Sequence, residues 1–188
     1  MPKKQQVTKE MILNAALDVV RESGAEALGT RAVARKLGVS TQPIFTQFIS
    51  MAELEQATYR EAVAFYNRRT EEAMKGSDRP YRAAGLAYIA FAREEPQLFR
   101  WLFMRDRVKN PTDDPAEADP YLAILQKTLG LSREEALLFY LEMWTVVHGI
   151  ATMVATSYFN WNEETISRVL TDFYLGLQAR FQKEDSKK

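Results

Sequence analysis

The sequence predicts an all-α fold, and three observations carry that prediction. Apolar residues recur at helical spacing along nearly the whole chain. No alternating strand pattern and no tight hairpin signal interrupts them. The stretch from Thr30 to Phe48 reads as two short helices meeting at a sharp glycine turn. With 46% apolar and 27% charged residues over 188 positions, the balance is that of a globular chain long enough for one or two small domains.

The first helix begins at Thr8 and runs to about Ser23, with Ile12, Leu13, Ala16, Val19 and Val20 on its apolar face and Gly24 ending it. After a short loop, Thr30 caps a helix that buries Val33, Ala34 and Leu37. Gly38 supplies the left-handed residue that stops it, since a glycine has no Cβ to clash. Val39 plugs the corner, and Ser40 caps a second helix carrying Ile44, Phe45 and Phe48. Pro43 falls in the first turn of that helix, where a missing N–H costs little. A steep pair of helices whose second member is short and dotted with small polar residues is a helix-turn-helix, spanning about 28–47 within a three-helix domain at 1–50.

Ser50 then caps a helix of roughly 25 residues, with Glu53 completing a capping box. It passes through Leu54, Tyr59, Val63, Tyr66 and Met74 to Gly76, so that 51–75 connects the first domain to a second within 51–188. Gly76 to Pro80 is a break. A helix from about Tyr81 to Glu94 stops before Pro96, and Gln97 to Asp106 forms a short apolar helix containing Leu98, Phe99, Trp101, Leu102, Phe103 and Met104. Arg107 to Pro120, with Asp113, Asp114, Glu117 and Asp119, reads as a solvated loop. Helices at about 132–158 and 163–182 close the chain before a frayed charged tail.

Composition excludes several chemistries. Without cysteine there is neither a disulfide framework nor a thiolate metal site. His148 is the only histidine, so a two-histidine metal site is out of reach, and no glycine-rich phosphate loop occurs. No cofactor, metal or catalytic residue is expected. The N-terminus lacks the apolar run of a signal peptide, and no apolar stretch approaches a bilayer span, so a cytoplasmic chain with no membrane partner is expected.

The net charge of zero conceals an asymmetry. Residues 1–50 hold seven Lys or Arg against four acids, a balance of +3, which leaves 51–188 at −3. The positive end coincides with the helix-turn-helix, as contact with phosphates requires. On the second helix, Thr41, Gln42, Thr46 and Gln47 form a polar face suited to a major groove. Glutamine pairs with adenine through N6 and N7, and a threonine methyl meets thymine. Double-stranded DNA is the expected partner. Lys3, Lys4 and Lys9 serve either as an arm along the duplex or simply as solubilising charge. His148, four residues after Trp144 on an apolar helix, reads first as a packed, hydrogen-bonded histidine beside a glycine that admits a neighbouring helix. A ligand-cavity role or a pH switch is the alternative.

These residues resemble the TetR family of bacterial transcription regulators over essentially the full length. The head carries the family's spacing in Ile12, Ala15, Ala16, Leu17, Gly24, Thr30, Arg31, Ala34, Leu37, Gly38, Val39, Ser40, Phe48, Ser50 and Leu54. In the body, Phe91 to Arg100 and the run Trp144 to Gly149 resemble the branch with a Trp…His-Gly signature. The resemblance implies an N-terminal helix-turn-helix domain and a C-terminal helical ligand-binding and dimerisation domain. It further implies a homodimer through the last two helices, and a small-molecule effector that releases a repressor from a near-palindromic operator. Arg31 sits where the family contacts phosphate; Thr30, Ser40, Phe45 and Ser50 complete the DNA-facing set. If the second domain holds a cavity, its walls come from aromatics such as Tyr88, Phe91, Phe99, Trp101, Trp144 and His148, and its ligand is largely apolar or aromatic.

Three positions depart from the family. Phe45 stands where tyrosine is common, Gln47 where histidine is, and Met51 where lysine is. Two phosphate partners per subunit are thereby lost, and backbone N–H groups at the helix beginning near Ser50 are the expected compensation. The competing expectation is a helical ligand-binding or interaction protein whose head has weakened DNA binding.

Overall fold

The computed structural model describes residues 6–105 and 118–185, and every regular element among them is helical. In chain order these are α1 (Lys9–Ser23), a 3-10 turn (Ala25–Ala27), α2 (Thr30–Leu37), α3 (Gln42–Gln47), α4 (Met51–Lys75), α5 (Pro80–Glu94), α6 (Pro96–Phe103), α7 (Asp119–Leu129), α8 (Arg133–Ala155) and α9 (Glu163–Asp185). Lys3, Lys4 and most of the expected loop from Arg107 lie outside the described residues.

The chain forms two compact units. One comprises the residues as far as Arg68 together with Glu95–Arg105; the other comprises Arg69–Glu94 and the chain beyond Arg105. The division between these units falls inside α4, and α6 belongs with the first unit although it follows α5 in sequence.

The first unit is organised around Ile12, Ala15, Ala16, Val19, Val33, Ala34, Ile44, Phe48, Leu54 and Ala57, with Leu28, Leu37 and Met51 packed against them. Thr8 caps α1 by accepting from the Met11 N–H, and Gly24 ends it at φ 84°. α6 is tied to α1 by Arg21, whose Nε donates to the Glu95 carboxylate at 3.1 Å. Trp101 meets Tyr59 edge-on at 5.3 Å, and Phe103 meets Tyr66 at 5.0 Å. Aromatic pairs in this geometry contribute beyond their buried area.

The second unit is built on α5 and α8, its most extensively packed pair. Gly85 makes their close approach: a Cβ there would stand 3.4 Å from Val147 Cγ2. A Cβ on Gly149 would meet nothing within 4 Å, so among the described residues the helix approach expected there is not made. Phe139, fully buried, links Tyr81 at 6.3 Å, Tyr174 at 5.4 Å and Phe181 at 5.7 Å, gathering α5, α8 and α9 around one aromatic node. Burial, then the neighbouring Tyr140, Tyr174 and Tyr121, push the Tyr81 phenol far up, so it acts there as a neutral hydroxyl.

Several local expectations are corrected. Gly29, not Thr30, is the N-cap of α2, and Thr30 is its first helical residue. Neither Ser40 nor the N-cap Thr41 makes a side-chain cap on α3. Ser50 does accept from the Glu53 N–H at 3.2 Å, but the Glu53 carboxylate returns to the Ile49 N–H at 2.7 Å, one residue outside the standard box. The capping box closes fully at Ser132 and Glu135 instead. The loop ends early, because Asp119 opens α7 with Pro120 in its first turn. α8 stops at Ala155 because Ser157 takes a left-handed backbone, φ 55°, without a glycine to announce it. By length and apolar content α8 does qualify as a membrane-crossing helix, which corrects the expectation that no stretch would. Such a helix is weak evidence of a span on its own.

Gly38 joins α2 to α3 at φ 68°, ψ 30°, and a Cβ there would meet nothing within 4 Å. Gly38→Ala should therefore carry a purely conformational cost, about 1–2 kcal/mol, and Gly38→Asn less. Chemical denaturation of the three proteins checks this; equal midpoints would show that the turn is not under backbone constraint.

Candidate nucleic-acid interface

The first unit presents a polar ridge because α3 is held from behind. Ile44 in its middle and Phe48 at its C-cap are buried, and that pair commits the opposite side to solvent. Gln42, Phe45 and Thr46 are exposed there, one turn apart, while Thr41 and Gln47 are half-buried at the flanks. The Thr46 hydroxyl donates to the Gln42 carbonyl at 3.1 Å, so its proton is occupied and its lone pairs and methyl remain available. The ridge is narrower than the sequence suggests: two polar side chains and an aromatic ring, rather than four polar groups.

Charge is distributed less generously than the count implies. Lys36 pairs with Glu22, which holds its ammonium above the usual lysine range. Arg21 is engaged by Asp18 at 3.2 Å and by Glu95. Lys9 lies 4.9 Å above the Phe48 ring. Among the described residues, Arg31 and Arg35 form no ion pair, and both are exposed, four residues apart along one side of α2. Arg35 was not singled out from the sequence, although its spacing from Arg31 carried the signal. Both guanidiniums are planar donors able to bind a phosphate oxygen pair.

The departures from the family acquire physical content here. Phe45 is 55% exposed, so its ring stands outward from the head core with Gln42 and Thr46. Met51 is drawn against that core, occupying inward the place of a surface lysine. At the start of α4, where N–H groups would attract a phosphate, the Glu53 carboxylate is already hydrogen-bonded. A phosphate there meets an acid, so the compensation expected from the helix terminus is opposed. Ile49, beside it, is 93% exposed and was not foreseen.

Of the aromatic residues expected around a ligand, four lie in the second unit. Tyr88 on α5 and His148 on α8 share a hydrogen bond of 2.9 Å between the phenol oxygen and Nδ1, and Trp144 stacks on the imidazole at 4.7 Å and 9°. Phe91 is buried on α5. One turn beyond His148, the Thr152 hydroxyl is buried without a partner among the described residues. Phe99 and Trp101 are on α6 and belong to the first unit.

The second unit also leaves apolar surface uncovered. Leu137, Leu138 and Leu141 on α8, and Phe173 and Leu175 on α9, are each 42–54% exposed. Beside Phe173, a shallow open depression is lined by Asp172, Gly176 and Leu177. A single exposed apolar side chain needs no explanation, but four leucines and a phenylalanine on two adjacent helices do.

Comparison with known proteins places this geometry. Residues 12–58 match the model of bacterial regulatory proteins of the tetR family, and residues 81–173 match that of the tetracyclin repressor-like C-terminal domain. An uncharacterized HTH-type transcriptional regulator of Mycobacterium tuberculosis is 24% identical over 94% of this chain and 83% of its own length. The crystal structure of a TetR-like transcriptional regulator from Rhodococcus sp. RHA1 superposes with a TM-score of 0.64 at 16% identity, covering 93% of this chain and 95% of that one. Matched at its head and its body, and alike in fold from end to end, this chain belongs to the TetR family of transcriptional regulators.

Proposed function

We propose that the protein is a ligand-responsive repressor that binds a near-palindromic operator as a homodimer and leaves it when a small, largely apolar or aromatic effector is bound. The observation that carries this reading is the outward ridge of Gln42 and Thr46 on a helix anchored by Ile44 and Phe48, with two exposed arginines on the preceding helix α2. Gln42, Thr46 and the flanking Thr41 and Gln47 read base edges; Arg31 and Arg35 hold phosphates. Thr30, Ser40 and Ser50 border that surface at the ends of α2, α3 and α4. The work is done by coupled binding equilibria rather than bond chemistry, so no residue is assigned a catalytic role.

Dimerisation through α8 and α9 accounts for their bare leucines and Phe173, which a second copy would cover. It also explains α8: only 28% of its most apolar window is buried within one chain, and a partner helix in a cytoplasmic protein covers the rest as lipid would elsewhere. For the effector, Tyr88, Trp144 and His148 offer a stacked aromatic wall with two hydrogen-bonding heads, next to the unused Thr152 hydroxyl. A second reading, a helical ligand-binding protein with weakened DNA affinity, draws on Phe45, Met51 and Glu53.

Selection of duplexes from a random DNA library, followed by fluorescence polarisation, decides between the two readings. The repressor reading predicts enrichment of an inverted repeat; recovery of no sequence would favour the second. Against the selected duplex, Thr46→Ala should change the preferred base at one position in each half-site, by about 1 kcal/mol. Arg31→Ala should weaken all sequences alike and lower the slope of log affinity against log salt by about 1 per head. Parental behaviour from both variants would contradict the groove assignment. Phe173→Glu places a charge in the proposed dimer face and should raise the dimer dissociation constant by about a hundredfold, read by sedimentation. An unchanged dimer would move the interface elsewhere.

A further inference from the structure

We infer that Ile49, together with Phe45, is an apolar DNA contact that recognises thymine methyl groups. The inference rests on the DNA-binding reading above and adds to it a residue outside the polar ridge. Ile49 is the most exposed large hydrophobic residue of the described chain, at 93%. Its position gives it an alternative that it does not take. It immediately precedes the Ser50 that caps α4, and a hydrophobic residue there ordinarily folds back onto the fourth residue of the helix. That residue is Leu54, itself completely buried in the head core. Ile49 is instead turned to water, while its own N–H is held by the Glu53 carboxylate at 2.7 Å, which fixes the backbone of the exposed residue.

The surroundings select the occupant. Phe45, four residues earlier, is the other large apolar side chain exposed in this part of the head, next to Gln42 and Thr46 on α3. A phosphate is opposed here by Glu53, and Phe45 offers no hydroxyl to bind one. What the duplex can present to two hydrocarbon side chains beside a groove-reading helix is the C5 methyl of thymine, the one apolar group on a base edge in the major groove. Arg31 and Arg35 supply the sequence-independent attraction that brings the surface to the duplex. Recognition at this edge is therefore by methyl burial instead of by the charge and hydroxyl that the family commonly places there.

Duplexes selected from the random library by the full-length protein are resynthesised with each enriched thymine replaced by deoxyuridine, which removes only the methyl. At one or two positions per half-site the substitution should weaken binding about fourfold, the effect of exposing one buried carbon. In Ile49→Ser the methyl effect at those positions should disappear, and in Phe45→Ser it should fall. Both side chains are exposed, so unchanged helicity and melting midpoint are expected and serve as the folding control. Duplexes whose uracil forms bind as well as the parent, or a methyl effect undiminished in both variants, would overturn the inference while leaving the repressor reading intact. Reduced self-association of Ile49→Ser with unaltered methyl dependence would assign the residue to a protein contact and overturn it too. Failure of the parent to select any sequence would instead sink the underlying reading.

Discussion

The left-handed backbone at Gly38 and the burial of Ile44 and Phe48 act together, and the geometry of the head follows from the pair. The turn sets the direction in which α3 leaves α2. The two buried side chains then choose which side of α3 meets the core formed by α1 and the start of α4. A six-residue helix has little stability of its own, so tertiary packing supplies its shape. Once Ile44 and Phe48 are committed inward, the outward places of Gln42, Phe45 and Thr46 are a matter of helical periodicity.

α6 gives the fold its second constraint. It lies between α5 and α7 in sequence, yet Arg21–Glu95, Tyr59–Trp101 and Tyr66–Phe103 fasten it within the head unit. The chain therefore leaves the head unit within α4, re-enters it at Glu95 and leaves it again after Arg105. In the proposed mechanism these crossings matter, because a ligand can alter operator affinity only through a difference in free energy between head arrangements. α5 carries Tyr88 and is followed directly by Glu95 and α6.

The helices with strong periodicity and clear stops were legible in the sequence. α1 from Thr8 to Gly24, the Gly38 turn, the long α4 and the stop before Pro96 all appear where residue chemistry predicts them. What escaped was decided by tertiary context or by weak local signals. Thr30 and Ser40 looked like caps, but the neighbouring Gly29 and Thr41 take those places. α7 was hidden by the acidic, proline-containing segment that leads into it, and the end of α8 by a serine doing a glycine's work. Within the site, the ridge was readable from spacing. The neutralisation of Lys36 by Glu22, the inward turn of Met51 and the exposure of Ile49 depend on which neighbours fold close, and no linear pattern encodes that.

The most direct test is nuclear magnetic resonance of the protein titrated with its selected duplex, followed through backbone amides and the side-chain amides of Gln42 and Gln47. The account predicts that the largest perturbations run from Gly29 to Ala52 and include the Gln42 side-chain amide, whose protons would enter the base edge. Perturbations that leave the Gln42 amide untouched, or that concentrate on other helices, would contradict it.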